Sequence, residues 1–190
     1  MANLAKFKEV MGGGVRPNQF VVDVVTPIGE LRNLNFLCHS ATLPGSQISQ
    51  APVFHRGRMI SLAGERSFQP WTISIYSDQN MEIRTQLERW SNEINNYGDN
   101  TGQTDPRLYK ANSLFVTQLG RDSKAIKTYR MRDAWPIDIG EMQLSWQDND
   151  RVGEFTVTFA MDWFEPISPM EVDNTFAQGN PTVVGTSTEF

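Results

Sequence analysis

The sequence predicts a mainly β fold, an antiparallel β-sandwich or partial barrel with one long α-helix. Two observations support this prediction: alternating apolar and polar residues recur in short segments along the 190-residue chain, and a single segment has the period of an amphipathic helix. Hydrophobic residues make up 39% of the chain, enough for one packed core. We therefore expect one β domain at 16–166, an N-terminal arm at 1–15 and a C-terminal extension at 167–190.

The first half of the domain contains the first predicted strands. Phe20, Val22 and Val24 share one face of a strand that ends before Pro27 and Gly29. "LNFLCHSATLPG" predicts a second strand and "QAPVFHRGRMISLAGER" a long extended stretch. In "WTISIYS" an apolar face alternates with a polar one, that is, Trp71, Ile73 and Ile75 against Thr72, Ser74 and Tyr76.

One segment has helical periodicity over nearly twenty residues. Its apolar residues recur at spacings of four and three, namely Ile83, Leu87, Trp90, Ile94 and Tyr97. Asp78 or Asn80 can cap its start and Gly98 can end it. We expect this helix to lie on the sheet.

The second half of the domain predicts two hairpins. Extended segments at 114–119 and 126–131 flank the turn sequence "GRDSKA". Further on, Met142, Leu144 and Trp146 are predicted to face the core from a strand that turns at "QDNDRV" and returns as "EFTVTFAMDWFEP". That returning strand has two contrasting faces: an apolar one with Phe155, Val157, Phe159, Met161 and Trp163, and a smooth acidic one with Glu154, Thr156, Thr158, Ala160 and Asp162.

Both ends of the chain are predicted to lie outside the core. Leu4, Phe7, Val10 and Met11 fall on one side of a short helix, and three consecutive glycines, 12–14, then form a hinge. Residues 167–190 contain few large apolar groups, so they can bury little surface and form either a mobile tail or an arm laid on a neighbour.

Charge and cysteine content exclude several classes of protein. The chain has 22 acidic and 17 basic residues, a net charge of -5, which disfavours tight binding to nucleic acid. The single cysteine, Cys38, cannot form an internal disulfide, no apolar run reaches the length of a membrane span, and the N-terminus lacks the apolar region of a secretory signal. Synthesis and assembly in a reducing cytoplasm follow as the expectation.

No catalytic, cofactor or metal site is predicted. Cys38 and His39 are adjacent and point to opposite faces of a strand, so they cannot form a nucleophile and base pair. The glycine triplet lacks the Lys and Ser or Thr of a phosphate-binding loop. Asp148, Asp150 and Glu154 cluster near a turn, where Asp and Asn are common turn formers.

Two alternative functions stay open from the residues alone. One is a hydrolase that uses this acidic cluster. The other is a monomeric ligand-binding β-sandwich, which would expose aromatic platforms, although Trp71, Trp90, Trp146 and Trp163 all fall in core phase.

Several stretches together resemble the tail tube family of contractile-tailed bacteriophages. In order, they are "RPNQFVVDV", "FLCHSATLPG", "RMISLAGERSFQPWTISIYSD", "RDAWPIDIGEMQLSWQ" and "EFTVTFAMDWFEP". The resemblance implies a structural virion protein without enzymatic activity or cofactors. Its copies would form stacked hexameric rings inside a contractile sheath, and viral DNA would pass through the hollow tube into the host. Expected partners are other copies, the sheath protein, and baseplate and tail terminator proteins. The alternative within this resemblance is the ring protein of a related injection device, of the bacteriocin or type VI secretion kind.

On this interpretation, the polar strand faces line the lumen. The hypothesised lumen-facing residues are Glu154, Thr156, Thr158, Asp162, Thr72, Ser74, Gln143 and Ser145. Duplex DNA carries about one negative charge per 1.7 Å, so a neutral or acidic lining would let it slide without phosphate contacts. We expect the loop at 47–57, the N-terminal arm and the region after Glu165 to form contacts within and between rings.

Overall fold

The computed structural model of the chain describes residues 3–147 and 149–167, which form two packed antiparallel sheets, a separate hairpin and four helices. In chain order, the elements are α1 (Leu4–Met11), β1 (Phe20–Thr26), β2 (Gly29–Glu30), α2 (Leu34–Leu37), β3 (Cys38–Ala41), β4 (Ser46–His55), β5 (Arg58–Phe68), β6 (Trp71–Tyr76), α3 (Glu82–Ile94), α4 (Pro106–Tyr109), β7 (Ser113–Leu119), β8 (Ala125–Arg132), β9 (Trp135–Ile139), β10 (Glu154–Ala160) and β11 (Trp163–Ile167). The prediction of a mainly β, antiparallel fold is confirmed.

The two main sheets pack their apolar faces against each other. Sheet A has five strands in the order β11–β8–β7–β1–β2, and sheet B has four in the order β3–β6–β10–β9. The core contains the predicted alternating residues of both sheets: Val22, Val24, Leu114, Val116 and Met131 from sheet A, and Trp71, Ile73, Ile75, Phe155, Val157 and Phe159 from sheet B. Burial of these side chains is the main force that holds the sandwich together.

Helix α3 covers the core side of sheet B near β9. Ile83, Leu87 and Trp90 are buried, and the Trp90 ring lies 6.1 Å from that of Phe159. The helix has 13 residues, fewer than predicted. Its C-cap is Asn95, so neither an extension to Tyr97 nor an end at Gly98 is correct. At the other end the N-cap residue is Met81, so neither Asp78 nor Asn80 is the N-cap. The Asp78 carboxylate nevertheless accepts a hydrogen bond from the Glu82 N–H at 2.9 Å and satisfies one free donor of the first turn.

Two sequence predictions about strands are wrong. The segment "LNFLCHSATLPG" begins with the short helix α2 and becomes extended only at Cys38. Residues 140–147 form no strand, because β9 occupies the free side of β10 that a strand at 142–146 would need. Met142 packs against the core, but Leu144 is exposed and Trp146 is 101% exposed. The predicted hairpin at 114–131 is confirmed as β7 and β8.

The last predicted strand is divided between the two sheets. Strand β10 ends at Ala160 in sheet B, and two residues later β11 pairs with β8 in sheet A. At the switch, the Asp162 N–H donates to the Arg132 carbonyl of β8 at 3.3 Å, immediately before the β11–β8 ladder begins. Trp163 therefore lies beyond the bend and is 40% exposed, so its predicted place in the core is wrong.

The predicted N-terminal helix is confirmed as α1, none of whose residues is buried. Its amphipathic apolar side faces solvent within this protomer. The glycines at 12–14 all have positive φ (54°, 97° and 67°), a backbone region that favours glycine. No helix in the described ranges combines the length and apolarity needed to cross a membrane. Of the predicted C-terminal extension, 168–190 lies outside the described residues, and the three-part division of the chain stays a prediction.

Candidate assembly surfaces

One face of sheet B presents short polar side chains from its two central strands. The register forms three cross-strand pairs, Thr72 with Thr158, Ser74 with Thr156, and Tyr76 with Glu154. The hydroxyls of Thr72 and Thr158 hydrogen-bond to each other at 3.0 Å. Because side chains alternate along a strand, this surface points away from the core. We call it the polar face; it brings together five of the eight residues that the sequence assigned to the lumen, and adds Tyr76.

The other three residues of that prediction lie elsewhere. Asp162 follows the end of β10, and its Oδ2 accepts from Lys110 Nζ at 2.6 Å. Lys110 also lies 4.6 Å from the centre of the Trp135 ring, so this carboxylate is engaged in a local cluster. Gln143 and Ser145 are exposed but belong to the irregular stretch 140–147. The strand on which the sequence placed them does not form.

A cluster that sequence reasoning missed lies at one end of the polar face. The His39 ring stacks on Tyr76 with centroids 4.2 Å apart, and its Nε2 lies 3.3 Å from Glu154 Oε2. Arg151 Nη2 approaches the other oxygen of Glu154 at 3.4 Å. The sequence correctly placed His39 opposite the buried Cys38, but it carried no signal that β3 pairs with β6. Glu154 is therefore a partly compensated charge at the rim of this face.

The two edges of sheet B are open within the described part of the chain. Strand β3 pairs there with β6 only, and β9 with β10 only. Since each pair in the sheet is antiparallel, β3 and β9 run in opposite directions. An open edge presents unpaired backbone N–H and C=O groups, which makes it a template for pairing with another chain. Pro136 in β9 fits such a position, because proline in sheets is confined mainly to edge strands.

Strands β4 and β5 form a hairpin that stands apart from both main sheets. The predicted extended stretch "QAPVFHRGRMISLAGER" is confirmed as most of this hairpin. The prediction of a loop at 47–57 is wrong, because β4 extends to His55 and only Arg56 and Gly57 form the turn. All of β4 is exposed, and the hairpin presents exposed apolar side chains from both strands: Ile48, Val53, Phe54, Met59, Ile60 and Leu62. A lone two-stranded hairpin is marginally stable in water. Its exposed apolar side chains make this hairpin a candidate contact surface.

Sheet A contains a half-buried carboxyl group on its face away from sheet B. Asp23 in β1 lies opposite Phe115 in β7, and its Oδ2 is buried without a hydrogen-bond partner in the described residues. Burial, and secondarily the negative charge of Glu30, raises the pKa of Asp23 to about 6. The sequence alternation placed Asp23 on this face but gave no sign of its burial.

The other chemical candidates are isolated groups. Among residues 3–147 and 149–167, no three His, Cys, Asp or Glu side chains come together as a metal site. Burial raises the pKa of the Cys38 thiol to about 12, so it stays protonated at neutral pH. Of the acidic cluster considered for hydrolysis, Asp148 lies outside the described residues and Glu154 belongs to the polar face. The sequence counted Trp146 among the core tryptophans, which disfavoured an exposed aromatic platform for a ligand. Because Trp146 is exposed, that argument does not hold for this residue.

Comparison with known proteins supplies independent information. Residues 14–165 match the family model described as phage tail tube protein. The chain is 32% identical over 155 residues to the tail tube protein gp19 of Enterobacteria phage T4, an alignment that covers 81% of this chain and 93% of that protein.

Solved structures share the fold at low sequence identity. A chain of the anti-feeding prophage baseplate, 6-fold symmetrised, has a TM-score of 0.61 at 12% identity and is matched over 80% of this chain and 94% of its own length. A chain of the sheath–tube complex of the extracellular contractile injection system PVC, in the extended state, has a TM-score of 0.58 at 12% identity, with 84% of this chain and 97% of that chain covered. At this level of identity the likeness establishes the fold.

Proposed function

This chain belongs to the phage tail tube protein family, and from that membership we propose that its copies close into six-membered rings that stack into the inner tube of a contractile tail. The resemblance seen in the sequence is thereby confirmed, and the role of the chain is structural. The observation that carries the ring proposal is sheet B, which has one polar face, one face buried against sheet A, and two open edges that run in opposite directions.

The two edges are complementary in a ring. If β9 of one copy pairs with β3 of the next, the new ladder is antiparallel and continues the alternation of the sheet. Such a head-to-tail contact closes into a ring when the rotation from one copy to the next is a whole fraction of a full turn. A closed ring leaves no sheet edge unpaired. The six-fold symmetry of the anti-feeding prophage baseplate, which contains a chain of the same fold, supports six copies in a ring.

The polar face is proposed to line the bore. Sheet B is the narrower layer, with four strands, whereas the other layer contains five strands together with helix α3. In a closed two-layered wall the wider layer takes the larger circumference, which places sheet B inside. Its lining would then consist mainly of hydroxyl groups from Thr72, Ser74, Thr156 and Thr158. Among the described residues, the two strands of this face carry no long cationic side chain, and Arg151 at the rim is paired with Glu154. Few groups would therefore be available to bind DNA phosphates, which favours passage over retention.

The remaining exposed elements are proposed to connect copies and partners. The β4–β5 hairpin and α1 expose apolar surface that the protomer leaves uncovered, so we assign them to contacts with neighbouring copies. Sheath, baseplate and terminator proteins are the proposed partners beyond the tube, consistent with the sheath–tube complex that contains a protein of this fold. Assembly would take place in the host cytoplasm, and the tube would become part of the virion without catalysing a reaction.

The relationship to phage T4 favours a phage tube over a bacteriocin-like or secretion device. The 32% identity is to a phage tail tube protein, whereas the likeness to the injection system proteins is structural only. DNA is therefore the proposed cargo.

Negative-stain electron microscopy and sedimentation of the purified chain over a range of concentrations test the ring proposal. We expect rings at moderate concentration and hollow rods at higher concentration. A chain that remains monomeric throughout, with no rings when seeded by a tail baseplate, would contradict the proposal.

A further inference from the structure

A groove between α3 and β9 runs beside one open edge of sheet B. It encloses about 480 Å³ and its lining includes Ile137, Ile139, Tyr97, Arg84 and Glu88. Ile137 is half exposed and supplies apolar surface next to the edge. The groove has a fixed rim, because the Arg84 guanidinium donates to Glu88 Oε1 at 2.8 Å and to the Gly140 carbonyl at 3.1 Å. The groove is open to solvent and its lining is more polar than apolar, so an entering aromatic side chain would pack on its apolar part, Tyr97, Ile137 and Ile139.

An exposed aromatic side chain lies beside the opposite edge of sheet B. Phe36 lies on α2, immediately before β3, and is 78% exposed. It is held in place because Leu34 of the same short helix is fully buried in the core. A large aromatic group displayed on an anchored element next to an open sheet edge has the character of an interface anchor.

These two features lie in the same layer of the molecule. Leu34 of α2 and Leu87 of α3 belong to the one core cluster between the sheets, so both helices flank sheet B on its apolar side. Helix α2 packs near β3 and helix α3 packs against β9, at opposite edges. When β3 of one copy pairs with β9 of the next, α2 of the first copy therefore becomes the neighbour of α3 of the second.

The charges beside the two features differ. Among its described residues, the groove lining carries Glu88 and Asp138 against Arg84, a net negative charge. Beside α2, the exposed Arg32 is offset by Glu30 two residues earlier. A negative groove and a nearly neutral α2 region do not repel each other when they face one another.

We propose that Phe36 of one copy inserts into the α3–β9 groove of the next copy and thereby sets the register of the ring. The inference rests on the proposed ring and goes further, because it names the side chain that fixes the angle between neighbouring copies. Backbone pairing alone permits slippage by two residues, whereas a side chain seated between α3 and β9 opposes it.

A disulfide trap between Phe36→Cys and Ile137→Cys tests the contact directly. Within one copy the two edges of sheet B are three strand spacings apart, about 14 Å, which exceeds the reach of a disulfide. A bond can therefore form only between copies, and Cys38 stays buried and protonated in every variant. We expect oxidised rings of the double variant to give a ladder of covalent multimers on a denaturing gel, and each single-cysteine variant to give nothing larger than a dimer.

The outcomes separate this inference from the proposed function. Rings of the double variant that yield no multimer beyond the dimer would overturn the Phe36 contact and leave the ring standing. Failure of the unmodified chain to form rings would instead overturn the ring itself.

The variant Phe36→Ala supplies a second measurement, with Leu108→Ala as its matched control. Leu108 is also an exposed apolar residue on a four-residue helix, α4. We expect Phe36→Ala to raise the concentration at which rings form by roughly tenfold or more, a typical effect of losing an interface anchor. The control should stay within about twofold, and both variants should unfold like the unmodified monomer because the changed side chains are exposed. Equal assembly midpoints for the two variants would contradict the inference.

Discussion

Asp23→Asn is expected to stabilise the isolated protomer at neutral pH. The native carboxylate lies partly buried on sheet A, with one oxygen lacking a hydrogen-bond partner in the described residues and Glu30 adding a like charge. The uncharged amide of asparagine has nearly the same shape and avoids the cost of burying a charge.

The size and the pH dependence of this effect follow from the pKa. Folding raises the pKa of Asp23 from an ordinary 3.8 to about 6. The folded state therefore binds the proton more tightly, and the free energy of unfolding falls as pH rises from 3.8 to about 6. Such a change in pKa is worth about 3 kcal/mol above pH 6, and the partial exposure of Asp23 reduces it to about 1–2 kcal/mol. At pH 4.5 about a third of the effect should remain.

Chemical denaturation of dilute, monomeric protein at pH 7.5 and pH 4.5 measures both values. Glu30→Gln serves as the control, because it removes only the secondary cause and should stabilise the protein less than Asp23→Asn. A gain of equal size at the two pH values, or a loss of stability at pH 7.5, would refute the assignment of a buried, destabilising carboxylate.

Three further predictions concern the core and the proposed bore. Thr117 and Thr128 are fully buried and share a hydrogen bond of 3.0 Å, so either single change to Val should cost about 1–3 kcal/mol in unfolding free energy, and the double change should cost less than the sum in a double-mutant cycle. Changing both Thr156 and Thr158 to Lys should leave circular dichroism and tube assembly nearly unchanged but slow DNA ejection; normal ejection from assembled particles would exclude this face as the lining. Trp90→Ala should destabilise the protomer by about 3–5 kcal/mol in thermal unfolding, because it removes a buried ring and the bond from its Nε1 to the Tyr109 carbonyl; a loss below about 1 kcal/mol would contradict its place in the core.

The strands of the core were predictable because one face of each is buried. Val157 and Ile73 alternate with polar neighbours, and the structure pairs them directly across β10 and β6. The same signal misled at Trp146, where apolar and polar residues alternate in a segment that forms no strand. Alternation alone does not identify a strand's partner, and here the position beside β10 belongs to β9, which Pro136 made a weak candidate.

The assembly surfaces were less predictable from the sequence. The hairpin lacks a clear alternation of apolar and polar residues because neither of its faces packs on the protomer. The groove beside β9 combines Arg84 with Ile137, residues from distant parts of the chain, and no local pattern brings them together. The polar face could be predicted for β6 and β10, since it is the complement of their buried face.

The short crossing from β10 to β11 has a mechanical consequence. Only Met161 and Asp162 separate a strand of sheet B from a strand of sheet A, and the Lys110–Asp162 ion pair and the buried Met161 side chain hold both residues in place. A force on either sheet is therefore transmitted to the other through the covalent backbone, because the two-residue connection is too short to extend. Shear between the two layers is thereby resisted by bond angles and dihedrals as well as by side-chain packing, a useful stiffness in the proposed tube wall.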